Sequence, residues 1–319
     1  MNKKSLEMKR IWIYLAFSFG IAWATALVIY LTGGLVNSPL LGVGVSLAFV
    51  LLATVYMGAP ALANVITRLI TKEGWVNAGL RPEIKRSWLF WVLAWVGPAI
   101  LTILGAAVFF LIFPRFFDPQ LTTLQQLLEK NAAAAGVPLP AVNLWVVVAS
   151  QIIQAILIAP LVNGLSSFGE EFGWRAYLQP KLMVLGGRKA MLLVGVIWGV
   201  WHWPITLMGH NYGLDYPGHP WLGPLAMLWF CMVVGTFIGW LTLKGRSVWP
   251  AVIAHAALNG IAGISGLLAK GAVNPVLGPS PAGFIGVIGF TIVALAIFLS
   301  PRGLTQFKED GVIAAEIVK

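Results

Sequence analysis

The chain has 319 residues, 59% of them hydrophobic and 10% charged, with 15 tryptophans. Soluble domains carry about 25% charged residues, so this composition excludes a water-soluble domain and points to an all-α, polytopic integral membrane protein. The net charge of +10 does not imply a nucleic-acid partner, because Lys and Arg on the inner loops of a membrane protein give the same excess.

A spanning helix needs about 20 apolar residues. Eight stretches are candidates: 11–32, 39–66, 88–113, 144–180, 190–208, 222–243, 249–269 and 283–300. The first follows MNKKSLEMKR and is too long for the core of a signal peptide, so it reads as an uncleaved first span. With the N-terminus inside, 17 of the 21 Lys and Arg fall on inner segments and three, Arg115, Lys130 and Lys270, on outer ones. That asymmetry predicts a multi-pass protein of the cell membrane with both termini cytoplasmic.

Between the third and fourth spans, residues 119–138 carry Leu121, Leu124, Leu127 and Leu128 at helical spacing, with Gln and Glu between them. This pattern predicts an amphipathic helix on the outer surface. KEGWVNAGLRPEIKRSW reads as an inner loop, with Pro82 and the glycines breaking helix. Cys231, the single cysteine, lies in an apolar run and can form no internal disulfide. The chain divides into 1–143 (three spans plus the outer amphipathic segment), 144–300 (the remaining spans) and 301–319 (a polar cytoplasmic tail).

There are 11 acidic residues, and only Glu170 and Glu171 fall within a span. An ionisable group inside a membrane costs a few kcal/mol or more and marks a functional site by default. Glu171 and Arg175 are four apart, share a helix face and can pair. Glu170 points about 100° away and is left free for chemistry.

Of the four histidines, His210 and His219 lie in an outer loop, where a solvated histidine usually has no role. His202 and His255 are intramembrane, and Asn259 shares a helix face with His255. At about 1.5 Å per residue, Glu170, His202 and His255 lie roughly 16, 20 and 14 Å from the inner edge. Buried polar groups must find partners, so these depths predict one mid-membrane cluster. A partly dehydrated glutamate suits general acid–base work, and a neighbouring imidazole can position a water. His255 and Asn259 offer two donors for the oxyanion formed when a carbonyl is attacked. The set adds up to amide hydrolysis. Glu170, His202 and His255 could also hold a metal such as Zn²⁺ with water in the open position, although no H-E-x-x-H helix exists here.

EEFGWR (Glu170, Glu171, Arg175), WGVWH (His202) and HAALN (His255, Asn259) resemble, in order, the three motifs of the CAAX prenyl protease and bacteriocin-processing (CPBP, or Abi) family of intramembrane proteases. Those motifs read E-E-x-x-x-R, F-x-x-x-H and H-x-x-x-N/D. One departure is Trp198 where the family pattern has Phe. The motif-bearing region is 150–265, and the N-terminal third has no match. The resemblance implies an eight-helix fold with a site sunk in the membrane and open to the cytoplasm, so that 144–300 would be the catalytic core. It implies Glu170 as the base that activates water, helped by His202, with His255 and Asn259 stabilising the oxyanion and Glu171 and Arg175 supporting. It leaves a zinc-dependent and a metal-free mechanism open. Expected partners are the lipid bilayer and a membrane-associated peptide or protein, with bacteriocin maturation or immunity as a role in prokaryotic members. Two other readings stand beside it: a proton- or ion-coupled transporter, which predicts inverted repeats that the chain does not display, and a non-catalytic scaffold or immunity protein.

Overall fold

The structure, a computed structural model, describes residues 3–42 and 44–305. The expected cytoplasmic tail lies outside the described residues from 306 onward. The described residues form helices and no strand. In chain order the principal helices are α1 (Lys3–Leu31), α2 (Leu47–Thr71), α3 (Ile84–Ile112), α4 (Thr122–Ala135), α5 (Leu144–Leu157), α6 (Gly164–Gly173), α7 (Gly187–Trp201), α8 (Leu222–Gly245), α9 (Trp249–Ile261) and α10 (Ile288–Leu299). The protein is an all-α, multi-pass membrane protein.

Five helices are long and apolar enough to cross a membrane: Ser5–Leu31, Leu47–Thr71, Ile84–Ile112, Leu222–Gly245 and Trp249–Leu267. The expected count of eight is not reproduced, because three candidates are shorter or broken. The stretch 144–180 is interrupted before the acidic pair rather than by it. Pro160 lacks the N–H that would continue the helix, and the chain restarts at Gly164 as α6. The stretch 190–208 stops at Trp201 because Pro204 follows, leaving His202 at the break and a short turn, Trp203–Leu207. Within 283–300 only the 12 residues of α10 are helical, about 18 Å at 1.5 Å per residue against a hydrocarbon core of about 30 Å. The second candidate, 39–66, is shifted. Leu40 and Ser46 form an isolated bridge, Gly42 and Gly44 have φ of 90° and 77°, and the helix runs on to Thr71. It can do so because Arg68 is buried yet satisfied: its Nε donates to Asn64 Oδ1 at 2.7 Å and its Nη1 to the Gly74 carbonyl at 2.6 Å.

Helices meet through glycines spaced four apart, which let backbones approach in a lipid environment. Gly169 and Gly173 of α6 lie on α2. A Cβ at Gly169 would sit 2.6 Å from the Met57 carbonyl oxygen, and one at Gly173 would sit 2.6 Å from the Pro60 carbonyl carbon. Gly195 and Gly199 of α7 lie on α8 in the same way, their added Cβ atoms meeting Met232 Cα at 2.7 Å and Leu228 Cα at 2.8 Å. Helices α3 and α9 pack together, as do α6 and α9. Helices from 1–143 therefore contact the 144–300 segment directly.

The two ends of the bundle are tied differently. At one end Lys181 Nζ donates to Glu7 at 2.8 Å and to Glu73 at 2.6 Å, while the Tyr177 hydroxyl donates to Glu73 at 3.0 Å. Arg10 also bonds Glu7. This cluster joins the start of α1, the end of α2 and the segment after α6. At the other end α4 forms where the leucine pattern places it. Leu121 and Leu124 are buried against Val148 of α5, and Leu127 is exposed. The Asp118 carboxylate accepts from the backbone N–H groups of Gln120 and Thr122 and from the Thr122 hydroxyl.

The glycine contacts give a direct test. Gly173→Ala drives a methyl into the α2 backbone, and overpacking of this kind costs about 1–3 kcal/mol. The unfolding midpoint of the purified protein in detergent is expected to fall. An unchanged midpoint would show that α6 and α2 are not in contact at Pro60.

Candidate active site

The acidic pair lies at the end of α6, where the helix passes into one π-helical turn, Trp174–Leu178. Such turns recur at functional sites. Glu170, Glu171 and Arg175 are all buried. Arg175 Nη1 lies 3.0 Å from the Glu171 carboxylate, and His255 Nδ1 lies 2.7 Å from Glu171 Oε1. The guanidinium sits over the Trp198 ring at 4.5 Å, a cation–π contact strengthened by desolvation. Its Nε and Nη2 find no hydrogen-bond partner among the described residues. The carboxylate can only accept, so His255 Nδ1 carries the proton and its Nε2 faces the other way.

Glu170 takes no part in that pairing. Its Oε2 accepts from the Trp198 indole N–H at 2.7 Å. Trp198 also orders the histidines. His202 Nδ1 donates to the Trp198 carbonyl at 2.8 Å, which again leaves Nε2 as the outward nitrogen. The Trp198 ring lies with centroids 5.5 Å from both His202 and His255. The helix break at His202 leaves the Trp201 carbonyl without its helical partner. Tyr56 of α2 donates to it at 2.6 Å and Trp23 of α1 at 3.2 Å. Cys231 is packed rather than lipid-facing, with Sγ 3.7 Å from His202 Nδ1.

Glu170, Glu171, Arg175, His202 and His255 are therefore brought together around one indole. Asn259, one turn beyond His255, is exposed, so it lies at the edge of the cluster. His219 is exposed, its ring packing on Tyr216 at 5.3 Å, whereas His210 is half-buried on the turn after Trp203–Leu207, its backbone N–H donating to the Ile205 carbonyl at 3.0 Å. The sequence marks Trp198 only as a departure from the Phe of the family pattern. The available signal was chemical: an indole carries an N–H that a phenyl lacks, and inside a membrane it needs an acceptor. Cys231 and Tyr56 carried no comparable signal, because their roles depend on which helices meet.

Glu170, His202 and His255 are of the right type for zinc. Among the described residues no group of three or more His, Cys, Asp and Glu is placed to hold an ion. The Trp198 N–H occupies one oxygen of Glu170, and the Trp198 ring packs on both imidazoles.

Residues 144–261 match the family model described as type II CAAX prenyl endopeptidase Rce1-like. A curated relative, CAAX prenyl protease 2 of Methanococcus maripaludis, is 32% identical over 96 residues, which is 28% of this chain and 34% of the relative. The chain thus matches over about a third of that relative's length. Both findings support the CAAX protease family, and the family-model match falls on the segment that carries the three motifs. Neither carries the bacteriocin link.

Removing one partner from a buried ion pair costs about 3–5 kcal/mol. Glu171→Gln leaves Arg175 and His255 facing a neutral amide, so a large fall in thermal stability is expected in detergent-solubilised protein. Wild-type stability would mean that Glu171 does not hold the two cationic groups.

Proposed function

We propose that the chain is an intramembrane endopeptidase of the CAAX protease type, set in the cell membrane with both termini cytoplasmic. Its substrate is a membrane-associated peptide or protein. The observation that carries this reading is the division between two adjacent carboxylates. Glu171 is committed to Arg175 and His255, while Glu170 has a single side-chain bond, from Trp198, on one of its two oxygens.

In this mechanism Glu170 Oε1 receives a water and takes its proton as the water oxygen attacks the scissile carbonyl. His202, held at Nδ1 by the Trp198 carbonyl, uses Nε2 to accept the second hydrogen of that water and so orients it. His255, held at Nδ1 by Glu171, presents Nε2 toward the carbonyl oxygen. As an imidazolium it donates to the oxyanion, and the Asn259 amide supplies a second donor. Glu170 then passes the proton to the leaving amine. Because Asn259 is exposed and His255 buried, the donor pair runs from an accessible edge into the site, a path along which an extended peptide can enter. No step passes through a metal.

Glu170→Gln keeps the acceptor for Trp198 and removes the base, and general bases contribute about 10²–10⁴-fold. Membranes from cells expressing the wild type are expected to contain new protein termini, read by mass spectrometry, that are absent with Glu170→Gln. Identical termini at equal levels of folded protein would remove the protease reading. The purified enzyme is expected to keep its turnover in 1,10-phenanthroline. Loss of turnover that added zinc restores would replace the metal-free step with one that needs an ion.

A further inference from the structure

Away from the candidate active site, α3, α5 and the end of α9 enclose a cavity of about 510 Å³, within the ordinary range of ligand pockets, about 300–1,000 Å³. Its walls are almost wholly apolar, with Ile103, Phe110, Ile152 and Ile261 among them. Two hydroxyls interrupt them. Thr102 and Ser265 both line the cavity and are 2% and 3% exposed, and their hydroxyls have no hydrogen-bond partner among the described residues. A buried hydroxyl without a partner costs about 1–3 kcal/mol, so an occupant with an acceptor is favoured over hydrocarbon alone.

Two exposed basic residues follow the cavity lining closely along the chain, one of them, Arg115, with its guanidinium over the Phe116 ring at 4.7 Å. Pro114 and Leu268 line the cavity, with Arg115 next to the first and Lys270 two residues after the second. The two strands of chain are pinned together. Lys270 N donates to the Phe116 carbonyl and Asp118 N to the Leu268 carbonyl, both at 2.9 Å. Arg115 and Lys270 are exposed, and they are two of the three cations that charge asymmetry assigns to this side of the membrane. The nearby Asp118 carboxylate is buried and already bonded to Thr122 and the backbone. Ser265 lies five residues before Lys270, and the helix Ile264–Leu267 ends between them, so the chain leaves the helix between the hydroxyl and the cation.

We propose that this cavity binds an anionic phospholipid from the leaflet at the Arg115 end. One acyl chain fills the apolar walls, the Ser265 hydroxyl donates to an ester carbonyl, and the phosphate is held between Arg115 and Lys270. Thr102 lies deeper, beside the acyl chain, and makes no polar contact with the lipid. The site is separate from Glu170 and does not depend on the reaction proposed there.

The test is native mass spectrometry of the full chain, released from nanodiscs of equal phosphatidylglycerol and phosphatidylcholine. The wild type is expected to retain phosphatidylglycerol about thirtyfold over phosphatidylcholine, the effect of two interfacial cations. Arg115→Gln with Lys270→Gln is expected to abolish that preference. Ser265→Ala, which adds no bulk, is expected to lower retention several-fold, and Thr102→Val to leave it unchanged. Ala106→Trp fills the cavity and is expected to abolish retention at an unchanged unfolding midpoint. Equal retention of the two lipids by the wild type would overturn the proposal, as would undiminished phosphatidylglycerol in both Ser265→Ala and Ala106→Trp. Displacement of the lipid by geranylgeraniol but not by added phosphatidylglycerol would also overturn it, assigning the cavity to an isoprenoid.

Discussion

A carboxylate inside a hydrocarbon layer is expensive to keep, and Glu171 is tolerated because two partners, the Arg175 guanidinium and the His255 imidazole, reach it from different places. Arg175 comes from the next turn of its own helix, and His255 from α9. Arg175 pairs with the charge within its own helical segment, and the His255 contact is added when α6 and α9 are docked. Other features serve that docking. The glycines at 169 and 173 let α6 lie against α2 at backbone contact. Asn64 of α2 donates to the Phe172 carbonyl at 2.8 Å, bonding the backbone beside the pair. The helix that carries the charges is therefore held on one side by close packing and on the other by an ion pair.

This arrangement makes two neighbouring and chemically identical residues different. A helix separates consecutive side chains by about 100°, so the face that carries Glu171 to Arg175 carries Glu170 elsewhere, to the Trp198 indole. Trp198, through its indole and its backbone carbonyl, is the second organising element. Its N–H touches Glu170, its carbonyl sets the tautomer of His202, and its face receives Arg175. A phenylalanine at this position would keep the wall and the carbonyl but lose the bond to Glu170. This chain therefore adds a hydrogen bond to a place where the motif it resembles asks only for an aromatic ring.

The ends of the bundle divide polar work in a similar way. The acidic residues Glu7 and Glu73 serve the Lys181 cluster, and Asp118 caps the turn before α4. Their carboxylates are used in holding helices together, which leaves Glu170 as the acid with the fewest structural duties among those the sequence analysis placed in the membrane.

Composition and pattern determined the class of this protein: an all-α membrane chain, with the amphipathic α4 and one intramembrane cluster of Glu170, Glu171, Arg175, His202 and His255. Those features follow from the cost of polar groups in lipid and from helical spacing, both of which act locally along the chain. The span count was not legible, because Pro160, Pro204 and the turn before α10 break helices whose apolar runs continue unbroken, and hydropathy does not register a missing N–H. Nor was Trp198 as donor, or Cys231 beside His202, or the apolar cavity below Arg115 and Lys270. Each depends on which helices touch and at what rotation. That is decided by glycine contacts and buried pairings between residues far apart in the chain, which only the tertiary structure brings within bonding distance.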